Sequence, residues 1–238
     1  MPVLAKIALA SAWNRRYSLG LMLVTIALAV MLLLGIERVR QDVRESFSQS
    51  VSGTDLVVGA RASPLQLVLY SVFRLGEATH NMSWSSARWL ADHPAVAWTI
   101  PISLGDSHRG FPVVGTSSEY FEHFRYGDRR ALRFAGGRPF DGIFEAVLGA
   151  EVAARLGYGV DENIVLSHGL GGTRLQQHAD KPFTVTGILE RTGTPVDRSV
   201  HVSLAGLEAI HLDWQSGTRM PGRSVSAEDA LQQDLTPR

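Results

Sequence analysis

Cysteine is absent from this 238-residue chain. Its absence excludes disulfides, thiolate metal sites and cysteine nucleophiles, but leaves the compartment open, since a cell-envelope domain can fold without bridges. Charge of one sign is also missing. The 23 Lys+Arg balance 23 Asp+Glu, so no global field argues for nucleic acid or an anionic surface. The chain has no G-x-x-x-x-G-K-[ST] loop to cradle ATP phosphates, no H-E-x-x-H pair and no G-x-S-x-G elbow. Gly169-Leu-Gly-Gly-Thr173 lacks the lysine of a phosphate loop and is followed by Arg174 where the last glycine would stand, and reads as a hairpin or flexible loop. Internal repeats and low-complexity segments are lacking as well.

What is present starts near the amino terminus. Leu19 to Ile36 carries no charge. A run of about 18 residues, rising about 1.5 Å each, covers about 27 Å, close to the hydrocarbon thickness of a bilayer. It is too long for the h-region of a cleaved signal, and the segment after it, Glu37-Arg-Val-Arg40, is charged rather than small. Nothing like it recurs, so one membrane span carries one sizeable soluble domain. Lys6, Arg15 and Arg16 precede the span, and Arg38, Arg40 and Arg44 follow it. Arg15 and Arg16 sit at its very edge with no acid beside them, which favours a cytoplasmic amino terminus, because long domains translocate largely regardless of charge.

Five regions follow from this pattern. Residues 1–16 read as a cytoplasmic amphipathic helix, with Trp13 and Tyr17 as interfacial aromatics. Residues 17–36 form the transmembrane helix. Over 37–51 the helical pattern persists through Ile36, Val39, Val43 and Phe47, so the span projects as a stalk until Ser52-Gly53 breaks it. Residues 52–215 form the core domain, and 216–238 a polar, unpatterned tail without a closing element.

Within the core, short strands alternate with helices. Strands are expected at Asp55–Gly59, Val96–Leu104, Phe111–Gly115, Ala146–Gly149, Ile164–Leu166, Phe183–Leu189 and Val200–Ser203. Helices are expected from Pro64 to Phe73, from Ser83 to Asp92, from Ser117 to Phe124, from Glu151 to a stop at Gly157, and from Leu204 to Leu212. Gly136-Gly-Arg-Pro139 reads as a turn. The apolar residues of the Pro64 helix nearly encircle it, which fits burial in a core or packing on a partner permease or membrane surface.

No catalytic, cofactor-binding or metal-ligating residue can be assigned from this pattern. Eight histidines are scattered as His80, His93, His108, His123, His168, His178, His201 and His211, without an i, i+4 pair. His168 and His178 could converge across the glycine loop, and His201 and His211 across a strand-to-helix connection. Either pair needs a carboxylate that the sequence does not place, so all eight read as surface or packing residues. Asp106, Asp141, Glu145, Glu151, Asp180, Glu190 and Asp197 fall in or near turns, where an isolated carboxylate more often caps than catalyses.

The order of these pieces resembles the amino-terminal half of bacterial ABC-transporter permeases of the MacB/FtsX type, including the lipoprotein-releasing LolC and LolE. The resemblance rests on Asp55-Leu-Val-Val-Gly59, on Phe111-Pro-Val-Val-Gly115 with Ser117–Phe124, and on Leu132-Arg-Phe-Ala-Gly-Gly-Arg-Pro-Phe140. It rests further on Glu145-Ala-Val-Leu-Gly-Ala-Glu-Val-Ala-Ala-Arg-Leu-Gly157 and Phe183-Thr-Val-Thr-Gly-Ile-Leu189. Val160-Asp161-Glu162 departs from the Gly-Asp that the family usually writes there. The resemblance implies an α/β (α+β) periplasmic core domain on a single N-terminal transmembrane helix in the bacterial inner membrane. It implies no enzyme and no cofactor of its own, but a permease subunit coupled to a separate ATP-binding cassette ATPase. The further partners implied are a second permease copy, membrane lipid, and a periplasmic adaptor or lipidic substrate. The family carries three more spans after this core, so the chain is expected to be a truncated permease or a fragment. An anchored periplasmic sensor or binding module without an ATPase partner is the alternative.

Overall fold

A computed structural model of the chain describes residues 3–61, 63–76, 81–169, 178–215, 218–219 and 225–236. The chain divides into two compact units, Met1–Phe47 and Ser48–Arg238.

The first unit is helical. Helix α1, Val3–Asn14, segregates its apolar and polar residues only weakly. After a turn at Arg15, helix α2 runs from Arg16 to Ser50 without interruption, 35 residues in all. Its Arg16–Asp42 portion is long and apolar enough to cross a membrane, and none of its most apolar stretch is buried. Within that stretch the Thr25 hydroxyl donates to the Leu21 carbonyl at 2.8 Å, so its one hydroxyl in the run is satisfied inside the helix. Beyond Ile36 the surface turns polar, and Arg40 donates to Glu37 at 2.9 Å while Arg38 pairs with Asp42 at 3.3 Å. Such i, i+3 and i, i+4 pairs support an exposed helix by a few tenths of a kcal/mol, about 0.2–0.5 each.

The second unit opens with two short helices, α3 (Pro64–Ser71) and α4 (Trp84–Ala91). Pro64 sits in the first turn of α3, and the Ser83 hydroxyl caps α4 by accepting from the Ser86 N–H. Then come β1 (Ser103–His108), β2 (Phe111–Thr116), α5 (Glu119–His123), β3 (Arg125–Tyr126), β4 (Arg130–Ala131), β5 (Phe134–Gly137) and β6 (Glu145–Leu148). Next are α6 (Ala150–Leu156), β7 (Asn163–Ile164), β8 (Ser167–His168) and β9 (Phe183–Leu189). A 3-10 turn at Pro195–Arg198 leads to β10 (Val200–Ser203), α7 (Leu204–His211), β11 (Trp214–Gln215), β12 (Thr218–Arg219) and α8 (Ala227–Ala230).

Eight of these strands form one mixed sheet in the order β5-β9-β6-β10-β2-β1-β8, with β7 on β9. The β10–β2 and β6–β9 pairs are parallel and the others antiparallel. Both faces are covered. Ala146, Leu148, Val200, Val202 and Val113 pack with Val152 of α6 and with Leu207 and Ile210 of α7. On the opposite face Val147 packs with Tyr120, Phe121 and Phe124 in and after α5. Period-two alternation along β6 and β10 thus feeds two cores from one strand. Burial of central strands on both faces is the usual condition of parallel pairing.

The expected α/β (α+β) architecture is present, with local differences at several elements. Asp55–Gly59 forms no strand and pairs with no described strand, and Leu56 remains 79% exposed. The strand expected over Val96–Leu104 begins only at Ser103 and runs to His108. Gly136 and Gly137 end strand β5 instead of making a turn, with Gly137 opposite Gly187 at a contact too close for a side chain. The tail carries α8, capped by Ser226, and its Ala230 packs with Val225 and Ala209 in a third small core.

Candidate functional site

The densest group of chemically capable side chains lies where β1, β8 and α7 meet. A bulge between Leu104 and Ser107 interrupts the β1–β2 register and presents Asp106, which is 5% exposed. Bulges re-aim side chains in this way. Directly across the ladder, Asp106 is paired with His168 of β8. His211, the last residue of α7, comes to the same place, because Ser203 starts that helix with a hydroxyl cap to the Gly206 N–H at 2.9 Å. His178 completes the group, held by its own N–H donating to the Leu166 carbonyl at 2.9 Å.

Distances among the group are short. His168 Nδ1 lies 3.2 Å from Asp106 Oδ1 and 3.3 Å from His211 Nε2, and His211 Nε2 lies 3.4 Å from Asp106 Oδ1. One ligand atom from each of the four residues lies within 4.8 Å of all the others. Trp214 covers one side, its ring 4.5 Å from that of His178 and 6.2 Å from that of His168. Asp213, beside Trp214 in the chain, forms a fully buried ion pair with Lys181 at 2.9 Å, and Asp180 approaches the same ammonium at 3.3 Å.

Burial alone would raise the pKa of Asp106, but hydrogen bonds from His168 and His211 outweigh it and hold the carboxyl well below its usual range. The same bond to Asp106 raises His168. Burial, then the neighbouring charge of His211, pushes His178 down to about 4, so its imidazole is neutral at pH 7. Both His178 ring nitrogens lack a hydrogen-bond partner among the described residues, although the residue is fully buried.

A second feature is a cleft of about 890 Å³ lined by the Asp55–Gly59 segment, α3, α4 and Trp98–Leu104. No residue of α3 is buried, and Leu65 is 67% exposed, so core burial does not explain the apolar girdle of this helix. Arg74 reaches into the same cleft with its Nε and Nη1 unbonded among the described residues.

The sequence reads all eight histidines as surface or packing residues, with His168–His178 and His201–His211 as the two conceivable convergences; the structure brings His168, His178 and His211 together and leaves His201 apart. His201 sits fully buried in the sheet beside Tyr120. His108 bonds the Val165 carbonyl and the Tyr158 hydroxyl, and His123 stacks on Trp98 at 5.2 Å. His93 is exposed, and His80 lies outside the described residues, as does the Gly169–Thr173 loop beyond its first glycine. Among the carboxylates, Glu145 holds Arg138, just after β5, in a 2.7 Å ion pair, and Asp197 accepts from the Thr192 and Gly193 N–H groups. Asp106 is the carboxylate the sequence did not place. Its only signal is a polar Gly-Asp-Ser-His run, which closes β1.

An apolar helix of spanning length, followed by a mixed-sheet core with helices on both faces, defines a membrane-helix-bearing α/β protein. The family model of the MacB-like periplasmic core domain matches residues 19–236. The chain therefore belongs to the MacB/FtsX-like ABC permease family. No curated protein matches it.

Proposed function

We propose that this chain is the permease (membrane) subunit of an ABC-type export or mechanotransmission complex in the bacterial inner membrane. Its amino terminus is cytoplasmic, its core domain periplasmic, and ATP is hydrolysed by a separate subunit whose motion it relays. The observation that carries this reading is the continuity of α2, whose 35 residues join a spanning segment to a polar extension without a proline or a break. At about 1.5 Å per residue such a helix is about 50 Å long, against a hydrocarbon core of about 30 Å. A helix of that length passes axial or lateral displacement across the interface because its hydrogen-bond ladder does not yield. Family membership supports the same reading.

The test is purification of the permease from native membranes with whatever it holds. Co-purification of an ATP-binding cassette ATPase is the expected result, and its absence, with a signalling protein instead, would support the anchored-sensor alternative. In that complex Val43→Pro should uncouple ATP hydrolysis from periplasmic work. Proline inside a helix removes one ladder bond and costs about 3 kcal/mol locally. Full coupled activity in the variant would refute transmission through this helix.

A further inference from the structure

We propose that Asp106, His168, His178 and His211 form a closed zinc-class metal site that clamps β1, β8 and α7 of the core domain. The proposal concerns the core alone and does not depend on the permease reading. Three observations carry it.

The first is geometric. A tetrahedral site with metal–ligand bonds of about 2.0–2.1 Å has ligand–ligand edges of about 3.3–3.4 Å. The three separations among Asp106 Oδ1, His168 Nδ1 and His211 Nε2 are 3.2, 3.3 and 3.4 Å. Three vertices of that tetrahedron are already in place before the fourth, from His178, is brought in from within 4.8 Å.

The second concerns His178. A hydrogen-bonded trio accounts for Asp106, His168 and His211 without any ion. It leaves His178 fully buried with both ring nitrogens unbonded among the described residues. Native interiors rarely tolerate that. A metal bond at one nitrogen removes the anomaly, and a neutral imidazole is the form that ligates.

The third is the donor set. Three imidazoles and one carboxylate suit Zn²⁺ and its first-row neighbours, whereas Ca²⁺ and Mg²⁺ take oxygen ligands. Four protein ligands leave no open position, which marks a structural rather than a catalytic site. The charged groups around it fit a cation. The Lys181 ammonium is itself paired with Asp213 at 2.9 Å and Asp180 at 3.3 Å. His168 and His211 keep side-chain exposures of 36% and 30%, which gives the ion a path of entry.

The experiment uses the full chain in detergent, without a histidine tag, stripped by chelator and titrated with Co²⁺ and then Zn²⁺. The expected result is one equivalent of Co²⁺ bound with the intense visible bands of four-coordinate cobalt, bleached by one equivalent of Zn²⁺, and a higher melting temperature with Zn²⁺. His178→Ala should abolish the bands and weaken Zn²⁺ by more than about 100-fold, beyond the 10–100-fold usual for loss of an outer-shell partner. The half-exposed His211→Asn should do the same with little effect on the metal-free melt, so misfolding cannot stand in for ligand loss. Exposed His93→Ala should bind as wild type. Absence of visible bands in the wild-type chain, or Zn²⁺ affinity unchanged in both ligand variants, overturns the proposal.

Discussion

His201 shows how much a single side chain in this core can weigh. It is fully buried in β10, with Nδ1 3.4 Å from the Val147 carbonyl and its ring 5.0 Å from that of Tyr120. Burial first, then the nearby Arg74 charge, pushes its pKa down to about 3. The unfolded chain protonates it near the ordinary value of about 6.5. Below that pH the unfolded state binds a proton that the folded state refuses, so stability is lost as pH falls from about 6.5 toward about 3. The slope from this one group is about 1.4 kcal/mol per pH unit. His201→Phe, which keeps an aromatic beside Tyr120, should flatten the acid limb of stability by that slope, read as denaturant midpoints between about pH 6.5 and 4.5. An acid limb identical to wild type would mean that other groups carry it. Lys181 makes the opposite case, a buried charge that is paired. Lys181→Met removes the ammonium that meets Asp213 at 2.9 Å in a fully buried site, and should cost about 3–5 kcal/mol in the same unfolding assay.

At the scale of elements, the join between β6 and α6 leaves no room for a side chain. A Cβ on Gly149 would collide with the carbonyl oxygens of Val196 and Asp197 in the 3-10 turn. These are backbone atoms, so they cannot swing aside as a side chain would. Gly149→Ala should lower stability by about 2–3 kcal/mol with an unchanged denaturant slope. Elements with this kind of local logic were readable from the residues: β9 and β10 occupy the expected ranges, and α6 stops at Gly157, whose φ of 72° suits a glycine C-terminal stop. The failures share a cause. Asp55–Gly59 has strand composition but no described partner, and pairing rather than propensity decides a strand. Ser103–His108 has poor strand composition, yet β2 on one side and β8 on the other recruit it. The Asp106–His168 pair depends on that recruitment, because 62 residues separate the two. His211 joins only through the helix after β10. No spacing rule along the chain could announce a cluster assembled by sheet order.

At the scale of the whole molecule, every buried apolar cluster belongs to the Ser48–Arg238 unit, and the Met1–Phe47 unit contributes none of the described core residues. A domain that owns its core can fold alone. A chain beginning at Ser48 should therefore be folded and soluble without detergent, with one cooperative transition whose midpoint matches that of the full chain. Its weak point for solubility is the exposed apolar surface of the segment before β1, where Leu56 is 79%, Leu65 67% and Trp89 69% exposed. Because none of these side chains is counted in a core cluster, Leu65→Glu should improve solubility while leaving the transition midpoint where it was, since surface substitutions usually stay within about 0.5 kcal/mol. If the Ser48 chain aggregates, and Leu65→Glu does not rescue a cooperative transition, then the helical unit supplies folding energy that the division of buried clusters assigns to the core.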